Sequence, residues 1–122
     1  MRTVQEIINR IRNNDFNDQD LEQFLDSSLV LVKANAILAV LKGNLTEEKI
    51  IYKLSCISQN IHHEPKVLGE WTTGHYAMAV LYLLDTKKTQ KIYNETLKEL
   101  DECTIESIIK LIEQIPNCFD IY

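Results

Sequence analysis

Two stretches of this chain, SLVLVKANAILAVLKG at 28–43 and GHYAMAVLYLLD at 74–85, leave almost no polar face. Leu29, Val30, Leu31, Val32, Ala34, Ala36, Ile37, Leu38, Ala39, Val40 and Leu41 fill the first, and Tyr76, Ala77, Met78, Ala79, Val80, Leu81, Leu83 and Leu84 the second. A helix that is apolar all round has to be covered on several sides. Neither stretch can lie on the outside of a fold, so other helices must be stacked around both. Each is followed by an amphipathic segment. LTEEKIIYKLSCISQNI places Ile50, Ile51, Leu54, Ile57 and Ile61 in a stripe, and KTQKIYNETLKELDE does the same with Ile92, Tyr93, Leu97 and Leu100.

The pattern is doubled. A shift of 43 residues puts Ala34 on Ala77, Ile37 on Val80, Leu38 on Leu81 and Leu41 on Leu84. It also puts Thr46 on Thr89, Ile50 on Tyr93, Leu54 on Leu97 and Ile57 on Leu100. Periods of about 40–47 residues with two helices each mark HEAT and armadillo arrays, in which neighbouring pairs cover one another's apolar faces. On these residues the chain resembles a short HEAT-like α-solenoid. The expected fold is all-α: a short right-handed stack of helical hairpins, about seven helices in one domain spanning 1–122.

Hairpins are expected at about 29–59 and 74–101, with a leading hairpin at 3–26 and a capping helix at 104–116. Thr3 and Glu6 form a capping box for a first helix over Val4–Arg12, which buries Val4, Ile7, Ile8 and Ile11. Asp18 is the expected N-cap of a short second helix with Leu21, Phe24 and Leu25 inward. Ser27 or Ser28 caps the third helix and Gly43 ends it; Asn44 or Thr46 caps the fourth. The last helix carries Ile105, Ile108, Ile109, Ile112 and Ile115 on one face and ends at Pro116.

The connector NIHHEPKVLGEWTTGH, residues 60–75, gathers His62, His63, His75, Trp71, Pro65, Gly69 and Gly74. Three imidazoles and Glu64 are ligands that zinc accepts. Adjacent histidines diverge, however, and no His pair is spaced for one helical face. The stronger reading is a joint: Pro65 stops the preceding helix, Gly69 and Gly74 allow a turn or close approach, and Trp71 plugs the seam. Trp71, His75 and Tyr76 could also anchor a partner, since aromatics dominate interface energetics.

No nucleotide loop, hydrolase elbow or zinc-knuckle spacing is present, so no enzyme activity, cofactor or metal is expected. Three cysteines, Cys56, Cys103 and Cys118, are an odd number without CxxC spacing; they read as reduced thiols packed as small hydrophobes in a cytoplasmic protein. No secretory leader and no membrane span are expected. A formal charge of −5 argues against nucleic acid as the partner and for a basic protein.

The charge is uneven. Residues 13–32 hold Asp15, Asp18, Asp20, Glu22 and Asp26 with no Lys or Arg, and residues 92–122 hold seven acids against Lys98 and Lys110. Two acidic edges are therefore expected to bind a partner: Asp15, Asp18, Asp20 and Glu22 in one, Glu95, Glu99 and Glu102 in the other. Trp71 and His75 complete the candidate contact residues. A small, acidic, helical protein without chemistry of its own resembles bacterial immunity proteins of contact-dependent inhibition and polymorphic-toxin systems. That resemblance implies a protein that occludes a cognate toxin, such as a basic nuclease, with acids standing in for phosphate. Two other functions remain open at this level: a HEAT-like adaptor in a larger assembly, and a metal-dependent enzyme using His62, His63, Glu64 and His75.

Overall fold

A computed structural model describes the backbone of residues 3–118 and the side chains of residues 3–115. Seven helices and one small hairpin lie within them: α1 (Val4–Arg12), α2 (Asp18–Leu25), α3 (Val30–Gly43), α4 (Glu48–Gln59), β1 (Lys66–Leu68), β2 (Trp71–Thr72), α5 (Thr73–Leu84), α6 (Lys87–Leu97) and α7 (Glu102–Cys118). The fold is all-α, with a single antiparallel strand pair in the connector.

The helices form two rows. In one, α1 packs on α3, α3 on α5 and α5 on α7; in the other, α2 meets α4 and α4 meets α6. The rows are joined by α2 against α3 and by α4 and α6 against α5. This is the stacking that the two apolar stretches demand. α5 lies at the centre, and Tyr76, Ala77, Met78, Ala79, Val80 and Leu81 are all fully buried. The hairpin units close unequally. α6 folds back on α5, its own partner, whereas the main partner of α4 is also α5 rather than α3.

The 43-residue register holds in the core and slips in the loops. Ala34 and Ala77, Ile37 and Val80, Leu38 and Leu81, and Ile50 and Tyr93 are buried as pairs. Thr46, however, is exposed ahead of α4, while Thr89 is buried inside the first turn of α6. α6 begins one turn earlier in the repeat than α4. A slip of one turn keeps the same face inward, which is how the pairing survives further along.

Several local expectations change. Asn17, not Asp18, caps α2: its side chain accepts from the Asp20 backbone N–H at 2.8 Å, and the Asp20 carboxylate accepts from the Asn17 N–H at 3.3 Å. α3 starts after Leu29 with no side-chain cap; Ser27 instead accepts from the Leu29 N–H. Asn44, not Gly43, takes the left-handed position that ends α3, and Asp85 does the same for α5, with φ of 52° and 53°. Both are residue types that tolerate that region. α4 begins after Glu47 without a side-chain cap from Asn44 or Thr46.

α7 runs on to Cys118 through Pro116. A proline in the last turn removes one backbone donor, and the helix continues past it. Its inward residues are Thr104, Ser107, Ile108, Leu111 and Ile115, whereas Ile109 is 45% exposed. Leu29 and Leu31 at the start of α3, and Val4 in α1, are likewise exposed. Cys56 and Cys103 are free and exposed, not packed inward; Cys56 sits on the outer side of α4 and Cys103 in the first turn of α7. The side chain of Cys118 lies outside the described residues. No helix among the described residues is long and apolar enough to cross a membrane.

Candidate protein-binding groove

The connector folds as a joint. Ile61 is buried, and α5 approaches it so closely that a Cβ on Gly74 would stand 2.6 Å from the Ile61 Cα. Gly69 turns the hairpin with φ +56°. The Trp71 indole is half-buried and donates from Nε1 to the Ser107 carbonyl at 3.0 Å, which ties the hairpin to α7.

His75 is buried and works locally. Thr72 caps α5, accepting from the Gly74 and His75 N–H groups, and donates its hydroxyl to the Ile61 carbonyl at 3.0 Å. His75 Nδ1 accepts from the Thr72 backbone N–H at 3.1 Å, completing a capping box in which histidine takes the usual Glu or Gln role. Its ring is therefore an acceptor at Nδ1, with the residue buried in the joint. His62 and His63 are exposed. Among the described residues no three His, Cys, Asp or Glu side chains are placed to hold a metal ion.

Beside this cap lies a polar hub that spacing does not reveal. Lys33 of α3 pairs with Glu64 at 2.5 Å, their side chains only 13% and 9% exposed. The same carboxylate accepts from the Thr73 hydroxyl at 2.6 Å and from Asn60 at 3.1 Å. Burial alone would raise Glu64, but the bonds from Lys33, Thr73 and Asn60 outweigh it and hold the carboxyl below its usual value.

Burial also holds His75 below the ordinary histidine value; Glu70 opposes that shift and His62 adds to it. The neutral ring is thus the native form, and the unfolded chain binds the proton more readily. The contribution of His75 to stability is present above pH 6.5, the ordinary value, and is lost as the pH falls below it. The urea midpoint should therefore drop between pH 7.5 and 5, and His75→Gln, which keeps a side-chain acceptor in the box, should flatten that slope. Equal slopes in both proteins would refute the assignment.

An open concavity lies elsewhere, on the row of even-numbered helices. One end, of about 470 Å³, is lined by Glu48, Lys49, Tyr52 and Lys53 of α4, with Lys88 and Ile92 of α6 and Glu22 of α2. The other, of about 460 Å³, is lined by Gln59, Ile61, His62, Ile92, Glu95 and Glu99, among others. Ser55 and Ile92 line both, so the two pockets adjoin along the groove between α4 and α6. Tyr52 stands at its lip, 67% exposed. Lys88 and Glu48 pair across the first end at 3.4 Å, and Lys53 reaches Asp26 at 2.6 Å.

Three of the nine residues nominated from sequence line these pockets: Glu22, from the first edge, the first pocket, and Glu95 and Glu99, from the second edge, the second. The others do not. Asp15 and Asp20 both face Arg10, at 3.5 and 3.2 Å, so the first edge is partly neutralised by a base from α1 that lies outside the acidic run. Asp18 lies against Glu47, whose carboxyl it raises above the usual value. Glu102 is exposed in the first turn of α7, away from the groove. Trp71 and His75 belong to the joint. Tyr52, Lys49 and Lys88 were not nominated; their signal in the sequence is a large aromatic and lysines on the wet side of amphipathic helices. No family model, curated protein or solved structure matches the chain.

Proposed function

We propose that this chain is a protein-interaction module that works by binding, and that its partner is a basic protein of the kind an immunity protein neutralises. The observation that carries this reading is the pair of adjoining pockets along α4 and α6: Glu95 and Glu99 line one with no Lys or Arg among its lining residues, and Glu22 and the exposed Tyr52 line the other beside Lys49, Lys53 and Lys88. The net charge of −5 favours encounter with a basic partner. Occlusion of a toxin's active site is the mechanism that such a surface supports, with carboxylates engaging the cations that a nuclease holds ready for phosphate.

Affinity capture of the tagged chain from its source cells, at low and at high salt, tests this. The expected result is one small basic protein retained in a one-to-one ratio, released by salt, and toxic to cells unless this chain is co-expressed. Capture of subunits of a large assembly, with no toxicity to relieve, would replace the immunity reading with the adaptor reading.

A further inference from the structure

The start of α5 hangs on one titratable ring. Among the described buried polar residues, His75 is the one whose charge changes between pH 5 and 8. Its Nδ1 accepts from the Thr72 N–H at 3.1 Å, and the Thr72 hydroxyl stands 3.0 Å from the same atom. That hydroxyl is already occupied: it accepts from the Gly74 and His75 N–H groups and donates to the Ile61 carbonyl. A proton on Nδ1 turns the acceptor into a donor that faces one N–H and an oxygen with no lone pair left. It also sets a positive charge in the first turn of α5, where the helix dipole disfavours it. The surrounding charges do not offset this. Burial disfavours the charged ring most, Glu70 of the hairpin favours it, and His62 beyond α4 disfavours it. Lys33 of α3 and Glu64 are closed on each other. The buried polar residues of α4, α6 and α7, which are Ser58, Thr89, Thr96, Thr104 and Ser107, carry no charge.

The hairpin β1–β2 is the part that this cap secures. Lys66, Leu68, Gly69 and Glu70 are exposed, and the strand pairing is irregular between Lys66 and Leu68. Its hydrogen bond to α7 is the one from Trp71 Nε1 to the Ser107 carbonyl. The base of the hairpin is fixed by other groups. The Thr73 N–H donates to the Pro65 carbonyl at 3.0 Å, and the Thr73 hydroxyl donates to Glu64 at 2.6 Å. Glu64 is held below its usual value by its bonds, so that hold persists in mild acid. We propose that protonation of His75 is a local switch: it breaks the Thr72 cap and frees the hairpin and Trp71 from α7, while the helical stack stays folded about the Pro65–Thr73 base.

Hydrogen exchange of the ¹⁵N-labelled full chain, followed by NMR at pH 7.5, 6 and 5 with and without urea below the unfolding transition, tests this. The Trp71 indole N–H and the Thr72 amide report the joint; the amide of Val40, a fully buried residue of α3, reports the stack. Protection at the joint, taken relative to intrinsic exchange at each pH, should fall about tenfold per pH unit below 6.5, the ordinary histidine value. It should be smaller than at Val40 throughout, and unmoved by urea that lowers protection at Val40. His75→Gln, with the side chain usual in a capping box, should remove the pH dependence, and His62→Gln should leave it in place. Joint protection that is constant with pH in wild type, or that still falls in His75→Gln, would overturn the switch. So would urea lowering joint and Val40 protection alike, because opening would then require the whole fold; this arm needs wild type alone and decides even where His75→Gln does not fold.

Discussion

Leu81→Ala should destabilise the fold by about 2–5 kcal/mol, the range for deleting a leucine side chain from a packed core. Leu81 is fully buried on α5, the helix that α3, α4, α6 and α7 all pack against. A cavity there faces several helices at once, and none of them can close it without leaving another partner. Leu38, its counterpart one repeat earlier, is 5% exposed on α3 and should lose a similar amount. Urea unfolding monitored by circular dichroism measures both. Losses within about 0.5 kcal/mol would mean that α5 is not the central helix.

Lys33→Met should cost about 1–3 kcal/mol, the range for leaving a largely buried acceptor without one of its partners. The methionine fills much of the stem's volume, so the effect isolates the charge. Glu64 would keep its bonds from Thr73 and Asn60 but lose the cation that offsets its burial. The same change should raise the Glu64 carboxyl toward or above its ordinary value, because burial alone pushes it up. Wild type loses the Glu64 contribution only as the pH falls below about 4.5, the ordinary value; in the variant that contribution is absent or reversed, so the deficit against wild type should be largest at pH 7 and shrink as the pH falls. Unfolding curves at pH 7 and pH 5 for both proteins measure this. A variant as stable as wild type at both would show that Lys33 and Glu64 are not coupled.

The helical layers were legible because their signal is periodic and long. Ile37, Leu38, Val80 and Leu81 recur at helical spacing, and an all-apolar helix has few alternatives to the centre of a stack. α1 was readable to its ends, since Thr3 and Glu6 are local to each other. The strand pair in the connector was not. Lys66–Leu68 and Trp71–Thr72 are too short to show alternation, and Val67, Trp71 and Thr72 could equally belong to a loop. The hub of Lys33, Glu64 and Thr73 joins residues up to forty positions apart, and a lysine inside an apolar run gives no sign of its partner.

The acidic edges show the same limit from the other side. Composition locates Asp15 and Asp20 in an acidic run, but Arg10, from the helix before it, folds back onto both. Glu22, Glu95 and Glu99 are no more conspicuous in sequence than Glu102, yet the packing of α2, α4 and α6 places the first three in the two adjoining pockets and the fourth in neither. His75 drew attention as an imidazole and an aromatic anchor, and its position as the third residue of α5 made it the capping-box partner of Thr72. Whether an exposed-looking polar residue is spent on the fold or left for a partner is decided by the neighbouring element, which sequence spacing does not contain.

The central claim is that the chain acts by binding a protein through the α4–α6 groove. Calorimetric titration of the captured partner into wild type and into the Glu95→Lys, Glu99→Lys chain tests it most directly. The account predicts one-to-one binding to wild type and an affinity lower by about a hundredfold in the variant, with circular dichroism unchanged. Equal affinity for both chains would place the contact elsewhere and contradict it.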